Sequence, residues 1–513
     1  MAEAETRYSL ARLAEEAYAR LGDHDALVFE GRTLRSSELI ARARRAAGGL
    51  TSLGVRRGDR CVVLMANCPE VLITYNAIWR AGAVVTPVVF LTPATELQHI
   101  LSDAGATVIV TTEELLGTVV SAAAGAPALR HIVVVGGTDA SRADPRVVSF
   151  GEVEMSADAP LPDIGGDELA AVMYTGGTTG RAKGVMLTHR NLHTCGRSLW
   201  ETAKVPGITV GLIPLPLSHA YGMIVTVAGM HEDEPALAIV QRWFNPTELL
   251  SLCEEHRVQR LSLVPAMVQM LLAQPLEVAD LSALRYVGSG AAPLAEDVLR
   301  EFERRVPGCE ILEGYGCTES GAVIAANPPG RRRVGSVGLP IRDYAVRIVD
   351  DDDAPLPVGQ DGEICAQGPG VMAGYWGSAE DTAAALRGGW LHTGDIGHLD
   401  ADGYLYIVDR KKDLILRGGF NVFPRDVEDA LLAHPDVAMA GVVGRPDPRL
   451  GEEVVAFVCL RDGASVGEDE LIAHVRTRLA PTKCPREVHI VENIPLTSVG
   501  KLDRKALRAQ FAR

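Results

Sequence analysis

A segment rich in glycine and threonine, Tyr174–Gly184, most strongly constrains what this chain can fold into. It follows a short apolar run of the kind that a buried strand makes, and it precedes Thr188–Leu192, where a helix is expected to begin. Its glycines let the backbone approach an anion and adopt positive φ, while its threonine hydroxyls and Lys183 can bind phosphate oxygens. The sequence therefore predicts a strand, a polyphosphate-binding loop and a helix.

This segment differs from the two common glycine-rich phosphate motifs. A Walker A loop needs Gly-Lys followed by Ser or Thr, whereas Lys183 lies between Ala182 and Gly184, and the chain has no Gly-x-Gly-x-x-Gly fingerprint. Taken alone, the segment could also be a flexible glycine turn with incidental threonines. Motifs elsewhere in the chain have to decide between the two interpretations.

The charge balance limits the partners that this chain can have. A net charge of −16 argues against nucleic acid and against anionic membrane surfaces as general partners, although it allows a local basic pocket for a nucleotide. Only seven basic residues are lysines, so a lysine inside a motif stands out from the background. The 513 residues predict two or three domains, because a single core stops growing well below that size.

The spacings of cysteine and histidine argue against a disulfide framework and against a zinc site. The nine cysteines contain no Cys-x-x-Cys pair and are odd in number, which predicts reduced thiols and a cytoplasmic location. The thirteen histidines show no zinc-binding spacing. An amphipathic helix with Leu10, Leu13 and Leu21 on one face stands in place of a signal peptide, and no apolar stretch is long enough for an integral membrane segment.

Strands and helices alternate along the first three hundred residues. This alternation is typical of parallel sheets that carry helices on their faces. The predicted strands are Ala26–Phe29, Cys61–Met65, Ala83–Val89, Val108–Thr111, Ile132–Val135, Leu169–Met173, Gly211–Pro214, Leu261–Val264 and Tyr286–Gly288, and the predicted helices lie near 36–50, 69–81, 93–104, 246–257, 266–273 and 294–306.

The pattern changes after about residue 330. A β-rich stretch begins at Val346, and a second, smaller βα set starts near residue 404. The charged run Asp409–Asp413 separates two apolar segments, as interdomain linkers do. We therefore predict an α/β protein with a large N-terminal domain (1–409) of βα layers, parallel sheets and a β-rich subdomain, a hinge (410–413) and a small mobile α+β domain (414–513).

Further motifs follow the glycine-rich segment in a fixed order. Ser289–Pro293 has only small side chains, against which a flat ring can lie. Glu313–Glu319 places an aromatic ring, a hydroxyl and a carboxylate on one loop. His392–Asp395 ends in a carboxylate that can accept hydrogen bonds from two ribose hydroxyls. In chain order the motifs are Leu217–Met223, Ser289–Pro293, Glu313–Glu319, His392–Asp395, Asp409–Asp413 and Leu496–Lys505.

In this order the motifs resemble those of the adenylate-forming superfamily, which contains acyl-CoA synthetases, amino-acid adenylation domains and beetle luciferases. The resemblance extends from about residue 10 to 508, and the segment Lys412–Pro424 is similar to medium- and long-chain fatty acid–CoA ligases. It implies that a carboxylic acid is joined to AMP with release of pyrophosphate and that the acyl group then passes to a thiol. ATP, Mg²⁺ and CoA are the implied cosubstrates and cofactor.

The resemblance implies a set of nucleotide-binding residues. Tyr315 would stack on adenine, Thr318 would contact the α-phosphate, and Asp395 would bind the ribose with Arg410 nearby. The family pattern has Ser at Gly176 and Pro at Ala182, and these departures leave the assignment intact. The full set is Thr175, Gly176, Gly177, Thr178, Thr179, Gly180, Lys183, Gly290, Ala291, Ala292, Glu313, Gly314, Tyr315, Gly316, Thr318, Asp395, Arg410 and Lys501.

The resemblance also implies residues for catalysis and for the second step. Glu319 would hold Mg²⁺, and Lys501 would bridge the carboxylate of the acid and the α-phosphate. Lys412 would be the hinge, and Gly418 and Gly419 would line the tunnel for CoA. The implied catalytic set is Lys501, Thr318, Glu319 and His219, and His219 could equally be a core histidine.

The acid that this chain would activate is expected to have an apolar body. Ser218–Met223 carries no acidic residue of the kind that holds the ammonium of an amino acid. The predicted pocket residues offer little charge, which favours a fatty acid and leaves an aryl acid open. They are His219, Met223, Val225, Val264, Gly288 and Gly321.

Two other functions stay open at this point. Because no carrier-protein domain is seen after Lys501, a complete peptide-synthetase module is not expected. The resemblance to fatty acid–CoA ligases implies CoA as acceptor, but a stand-alone ligase that loads a separate acyl carrier protein would carry the same motifs. A non-catalytic nucleotide-binding sensor is disfavoured, since Lys501, Glu319 and Asp395 are intact. A homodimer also stays open.

Overall fold

The computed structural model describes residues 7–136, 144–175, 181–461, 463–496 and 502–510. Most of the predicted βα alternation is present in it. The strands are β1 (Asp25–Phe29), β2 (Arg32–Arg35), β3 (Arg60–Leu64), β4 (Val84–Pro87), β5 (Val108–Thr112), β6 (His131–Val135), β7 (Val147–Ser149), β8 (Leu169–Thr175), β9 (Lys183–Thr188), β10 (Val210–Ile213), β11 (Leu237–Val240), β12 (Arg260–Leu263), β13 (Tyr286–Ser289), β14 (Glu310–Tyr315), β15 (Ala325–Ala326), β16 (Leu339–Pro340), β17 (Ala345–Val349), β18 (Gly362–Gln367), β19 (Gly374–Tyr375), β20 (Leu391–Leu399), β21 (Leu405–Arg410), β22 (Ile415–Arg417), β23 (Phe420–Val422), β24 (Val437–Asp447), β25 (Gly451–Leu460) and β26 (Glu487–Ile490).

The helices lie between these strands and cover the sheets. They are α1 (Leu10–Leu21), α2 (Ser36–Ser52), α3 (Pro69–Arg80), α4 (Ala94–Asp103), α5 (Leu116–Ala123), α6 (Phe150–Val153), α7 (His189–Ala203), α8 (Ala220–Gly229), α9 (Pro246–Glu255), α10 (Pro265–Leu272), α11 (Glu296–Arg305), α12 (Ala379–Ala385), α13 (Pro424–Leu432), α14 (Glu468–Arg476) and α15 (Arg504–Gln510). Among the described residues, no helix is both long and apolar enough to pass through a bilayer.

Two large sheets contain strands β1 to β16 together with β19. One has the strand order β19-β9-β8-β4-β3-β5-β6-β7 and is parallel from β8 to β7. The other has the order β16-β15-β14-β13-β12-β10-β11-β1-β2 and is parallel from β14 to β1. Helix α3 is buried against the first sheet, where the fully buried Trp79 donates its Nε1 hydrogen to the Ala170 carbonyl at 3.0 Å. The predicted parallel sheets are therefore confirmed.

Two smaller sheets follow. Strands β17, β18, β20 and β21 form an antiparallel sheet, and β22 to β26 form a mixed sheet with α13, α14 and α15. A single 3₁₀ turn, Lys411–Asp413, connects the two sheets. The predicted fold class, with its β-rich subdomain and smaller C-terminal α+β unit, is confirmed by this arrangement.

The glycine-rich segment is connected differently from the prediction. The predicted strand–loop–helix is wrong because β9 runs antiparallel to β8 before α7 begins at His189. Strand β9 buries Val185, Leu187 and Thr188 in the first sheet, and β-branched and apolar side chains of this kind favour a strand. The segment therefore joins two strands of a hairpin, and Thr188, the last residue of β9, caps α7.

The two large sheets are joined through one buried amide. Asn67, after β3, donates its Nδ2 hydrogens to the carbonyls of Leu215 (2.8 Å) and Gln241 (3.1 Å). Its Oδ1 accepts from the backbone N–H of Leu217 at 2.9 Å, and the residue is 2 % exposed. Backbone groups at the ends of β10 and β11 are thus satisfied by a side chain of the other sheet.

We expect Asn67→Ala to lower the free energy of unfolding by about 3 kcal/mol, because it leaves one N–H and two carbonyls buried without partners. Urea unfolding measures this change. Asn493→Ala serves as the matched control, because Asn493 is exposed, and it is expected to stay within about 0.5 kcal/mol of the unchanged protein. Equal effects of the two substitutions would contradict the role of Asn67.

Candidate functional site

A cavity of about 1230 Å³ opens at the carboxyl ends of β12, β13 and β14 and extends to the small C-terminal unit. This edge of an α/β sheet is where such folds bind ligands. The structure brings most of the predicted site residues to it, namely Thr175, Lys183, His219, Val225, Gly288, Gly290, Ala291, Ala292, Glu313, Gly314, Tyr315, Gly316, Thr318, Glu319, Asp395, Arg410 and Lys412. The predicted Gly176, Gly177, Thr178, Thr179, Gly180 and Lys501 lie outside the described residues.

The carboxylate of Asp395 lies at the centre of one wall. The Tyr315 hydroxyl donates to its Oδ2 at 2.7 Å, and the Arg410 guanidinium lies 3.2 Å from its Oδ1. Asp395 and Arg410 are cross-strand partners of β20 and β21, so the ladder itself sets this pair. Burial, and then the charge of Asp395, raise the pKa of Tyr315 well above its usual value, so the phenol stays a donor. The free lone pairs of the carboxylate can accept hydroxyl hydrogens.

The two small-residue loops beside this wall approach their neighbours closely. A Cβ on Gly316 would lie 2.2 Å from the Ala322 carbonyl oxygen, so only glycine fits there. Ala291 has a left-handed backbone with φ of 71°, an unusual conformation for a residue with a Cβ. Ser289, 3 % exposed, has an Oγ without a hydrogen-bond partner among the described residues. These features leave a flat, partly polar surface between the loops.

A second group of polar residues lies at the β9 end of the cavity. Glu319, in the 3₁₀ turn Thr318–Ser320, accepts a hydrogen bond from the Tyr375 hydroxyl at 2.9 Å. Lys183, the first residue of β9, forms an ion pair with Asp381 at 2.6 Å, and its ammonium lies 5.4 Å from the Tyr375 ring centroid. This group contains two carboxylates, one hydroxyl and one cation, and the cation, Lys183, can bind an anionic ligand.

The other end of the cavity follows β13 towards its start. The Tyr221 hydroxyl donates to the Gly288 carbonyl at 3.2 Å, and a Cβ on Gly288 would lie only 3.1 Å from that hydroxyl. Burial raises the pKa of Tyr221 to about 12. His219 caps α8, where its Nδ1 accepts from the Tyr221 N–H at 3.2 Å, and it also lines the cavity. Both interpretations of His219 therefore have a structural basis.

Three predicted pocket residues do not line the cavity. Met223 is 1 % exposed and belongs to the hydrophobic core, because residues 223 and 225 point to different sides of α8. Val264 caps the start of α10 outside the lining, and Gly321 has φ of 77° and packs against the Gly370 carbonyl. We correct the sequence-based pocket accordingly.

The small C-terminal unit closes one side of the cavity. Helix α15 contributes Arg504, Lys505 and Arg508 to the lining. Arg504 holds both oxygens of the buried Glu428 at 2.7 Å, and Arg508 reaches Asp413 at 3.1 Å. Gly418 and Gly419 have φ of 59° and 84° at the tip of the β22–β23 hairpin, away from the cavity lining. Positive charge thus faces the cavity from α15.

Several lining residues were missed from the sequence. Tyr221 lies inside the Leu217–Met223 motif, so an aromatic residue near the start of the helix was an available signal. Tyr375 belongs to no motif. Trp200, Glu232 and Arg260 lie far apart along the chain, and only the tertiary fold brings their side chains together. No local pattern identifies such a group.

Glu313 is a titratable group within the cavity. Burial raises its pKa to about 7, and this effect outweighs the opposing influence of Arg425 and Arg332. Near neutral pH the carboxyl group is therefore protonated in part of the molecules, so it can both donate and accept a hydrogen bond.

Comparisons with known proteins agree with this geometry. Residues 14–376 match the model of the family described as AMP-binding enzyme, and residues 426–501 match the AMP-binding enzyme C-terminal domain. The chain is 39% identical to a feruloyl-CoA synthase of an Amycolatopsis species, covering 96% of this chain and 97% of that one. It is 33% identical to a long-chain-fatty-acid–CoA ligase of Bacillus subtilis, covering 97% and 94%. The solved anthranilate CoA ligase AuaEII in complex with anthranoyl-AMP superposes with a TM-score of 0.90 at 25% identity, covering 98% and 97%.

We expect the buried Glu313 to make stability depend on pH. Because its pKa is raised in the folded state, the folded protein binds the extra proton between about pH 4.5 and 7, and the free energy of unfolding falls by up to about 3 kcal/mol as pH rises through that window. Urea unfolding at pH 5 and pH 8 should show a smaller fall in Glu313→Gln than in the unchanged protein, because the buried Glu428, whose pKa is also raised to about 7, keeps its own contribution. Glu255→Gln, at a position with 67% side-chain exposure, is the control. The same fall in Glu313→Gln would contradict the assignment.

Proposed function

Because this chain belongs to the AMP-binding enzyme family and is an acid–thiol ligase of the AMP-forming type, we propose that it activates an acid with an apolar body as acyl-AMP and transfers the acyl group to CoA. One observation supports this assignment most directly. A single cavity joins a nucleotide end, around Tyr315 and Asp395, to an acid end beside Gly288. An acid and a nucleotide bound at the two ends would meet within one enclosed space.

The nucleotide end offers a partner for each part of ATP. Asp395 would accept the ribose hydroxyls, and the ring of Tyr315 would face adenine, with Gly290, Ala291 and Ala292 on the opposite side. Thr318 would donate to the α-phosphate. The loop between β8 and β9, which starts at Thr175 and ends at Lys183, would hold the outer phosphates. This set rests on the family resemblance together with the position of its described members around one cavity.

The residues present fit a bound Mg²⁺. This ion is usually held by one or two carboxylates together with substrate phosphates. Glu319 supplies one such carboxylate, which is oriented by Tyr375 at 2.9 Å, and no cluster of three or more acidic, histidine or cysteine ligands occurs within the described ranges. When bound, Mg²⁺ would neutralise phosphate charge.

In the first step a carboxylate oxygen of the acid attacks the α-phosphorus of ATP, and the bond to the pyrophosphate oxygen breaks. Negative charge accumulates on phosphoryl oxygens, so positioned donors and cations provide most of the catalysis. Lys501 would neutralise the repulsion between the carboxylate and the α-phosphate. Lys183 and Thr318 would hold the phosphoryl groups while pyrophosphate departs.

In the second step the thiol of CoA loses its proton and attacks the acyl carbon, and AMP leaves. Gly418 and Gly419, proposed for the CoA tunnel, lie away from the cavity, whereas α15 closes it. We propose that this arrangement belongs to the first step and that the 414–513 domain rotates about Lys412 before the second. The rotation would have to separate Arg425, in the small domain, from the Ile407 carbonyl (2.8 Å) and from the Asp409 carboxylate (2.9 Å), which both precede Lys412.

We further propose a cytoplasmic location, which the nine free and mostly buried cysteines support.

The proposed reaction is tested by incubating the protein with ATP, Mg²⁺ and CoA and a panel of fatty and aryl acids. We expect acid-dependent release of pyrophosphate, with AMP and an acyl-CoA thioester as the other products. ADP as the stoichiometric nucleotide product would contradict the reaction. Thioester formed on an acyl carrier protein and not on CoA would reassign the acceptor, and nucleotide binding without turnover of any acid would indicate a sensor.

Lys501→Ala should lose roughly 10²–10³-fold in the rate of acyl-AMP formation, by analogy with the loss of a single oxyanion-hole donor. It should convert supplied acyl-AMP and CoA to thioester at a rate close to that of the unchanged protein. Lys483→Ala is the matched control, because Lys483 is a lysine of the same domain that lies outside the cavity lining and pairs with Asp426. An equal defect of Lys501→Ala in both half-reactions would contradict its assignment to the first.

A further inference from the structure

The acid end of the cavity finishes at a charged pair. Arg260 Nη2 donates to Glu232 Oε1 at 2.5 Å, and the indole N–H of Trp200 donates to Glu232 Oε2 at 3.0 Å. All three residues line the cavity, and the Glu232 side chain is only 12% exposed. An apolar channel would not need an ion pair at its end, since removing a carboxylate such as that of Glu232 from water costs free energy unless polar partners compensate.

The strand register gives the depth of this pair. Ser262 is the neighbour of Gly288, and Arg260 lies two residues earlier on β12, about 7 Å further from the nucleotide end. Arg260 and Ser262 are half-buried on the cavity face, whereas Leu261 and Leu263 are buried on the other face. A linear acid whose carboxylate points to the nucleotide would therefore direct its far end towards Arg260.

The surrounding charges limit what that far end can be. Arg260 pairs with Glu232, and the nearby Lys204 pairs with Asp233 at 3.2 Å. Arg20 is occupied by the backbone carbonyls of Met230 and Glu232. A second carboxylate on the acid would thus add a charge without an uncommitted cation among these residues. A methyl group would desolvate the pair and return no hydrogen bond.

The pair also separates two spaces. A smaller apolar cavity of about 280 Å³, bounded by α1, α2 and α3, lies behind it. Val225, Gly229, Glu232, Arg260 and Ser262 line both cavities and so form the wall between them. This wall closes the acid end of the larger cavity, so it sets how far an acid can extend from the nucleotide end.

We propose that Glu232 and Arg260, held by Trp200, recognise a neutral hydroxyl at the far end of the acid, and that the substrate is a phenolic aryl acid. The hydroxyl donates to the Glu232 carboxylate and accepts from a remaining Arg260 N–H, so one group satisfies both charges. The rings of Trp200 and Tyr221, both in the lining, suit a flat aromatic body. The inference rests on the proposed function and specifies its acid.

The test compares two acids that differ by one hydroxyl, 4-hydroxycinnamate and cinnamate. Acid-dependent pyrophosphate release gives kcat/KM for each at saturating ATP. We expect the unchanged protein to prefer 4-hydroxycinnamate by roughly 10–100-fold, because an unpaired polar site rejects the analogue that lacks the hydroxyl. Arg260→Met and Glu232→Gln should each reduce the preference to within about threefold of unity.

Three further variants separate recognition from a structural role. Arg257→Met is the matched control, because Arg257 is an exposed arginine outside the cavity, paired with Asp280, and the preference should persist in it. The double variant Arg260→Met with Glu232→Gln should reduce the preference no further than either single change, since one hydroxyl serves both residues. If a single variant fails to fold, Trp200→Phe keeps the ring and removes the indole donor, and it should also reduce the preference.

Two results would overturn the inference. One is an unchanged protein that uses both acids equally or prefers cinnamate, and the other is a preference that survives in Arg260→Met and Glu232→Gln. Neither result affects the proposed reaction, which fails separately if no acid of any class releases pyrophosphate.

Discussion

The buried carboxylate of Asp395 connects more of this molecule than any other group in the candidate site. Tyr315 comes from the nine-stranded sheet, Asp395 from the antiparallel four-stranded sheet, and Arg410 is the last residue before the 3₁₀ turn to the small C-terminal domain. Asp395 is 7% exposed, so losing a donor would leave a buried charge poorly compensated. The relative position of two sheets, and the presentation of the carboxylate proposed to bind the ribose, therefore depend on this side chain.

The fold class could be predicted from the sequence because parallel strands buried on both faces are continuous apolar runs, as in Val108–Thr112 and His131–Val135. The error at β9 has a physical reason. A strand that follows a glycine-rich segment directly and leads into a capped helix has no turn signal of its own, so Lys183–Thr188 looked like the approach to α7. The two-residue strands β15, β16 and β19 are too short to leave a periodic pattern.

The site was predictable where its residues are neighbours along the chain. Tyr315, Thr318 and Glu319 come together because they share one loop, and their roles stay predictions that rest on the resemblance. The acid end was not predictable in the same way. Met223 and Val225 are two residues apart on one helix, and only packing decides that the first enters the core and the second the cavity. Glu232 and Arg260 are 28 residues apart and meet only through the tertiary fold.

Strands β12 and β13 run the length of the cavity, so substrate specificity and catalytic chemistry depend on opposite ends of the same strands. Their last residues lead into the loops proposed to bind the nucleotide, whereas Arg260 and Tyr286, at their first residues, line the end of the cavity proposed for the acid. Substitutions at the starts of the strands can therefore alter which molecule is accepted without disturbing the groups that handle ATP. Substrate specificity and catalytic chemistry can evolve independently, although both depend on the same two strands. Enzymes that share one reaction can therefore acquire different substrates.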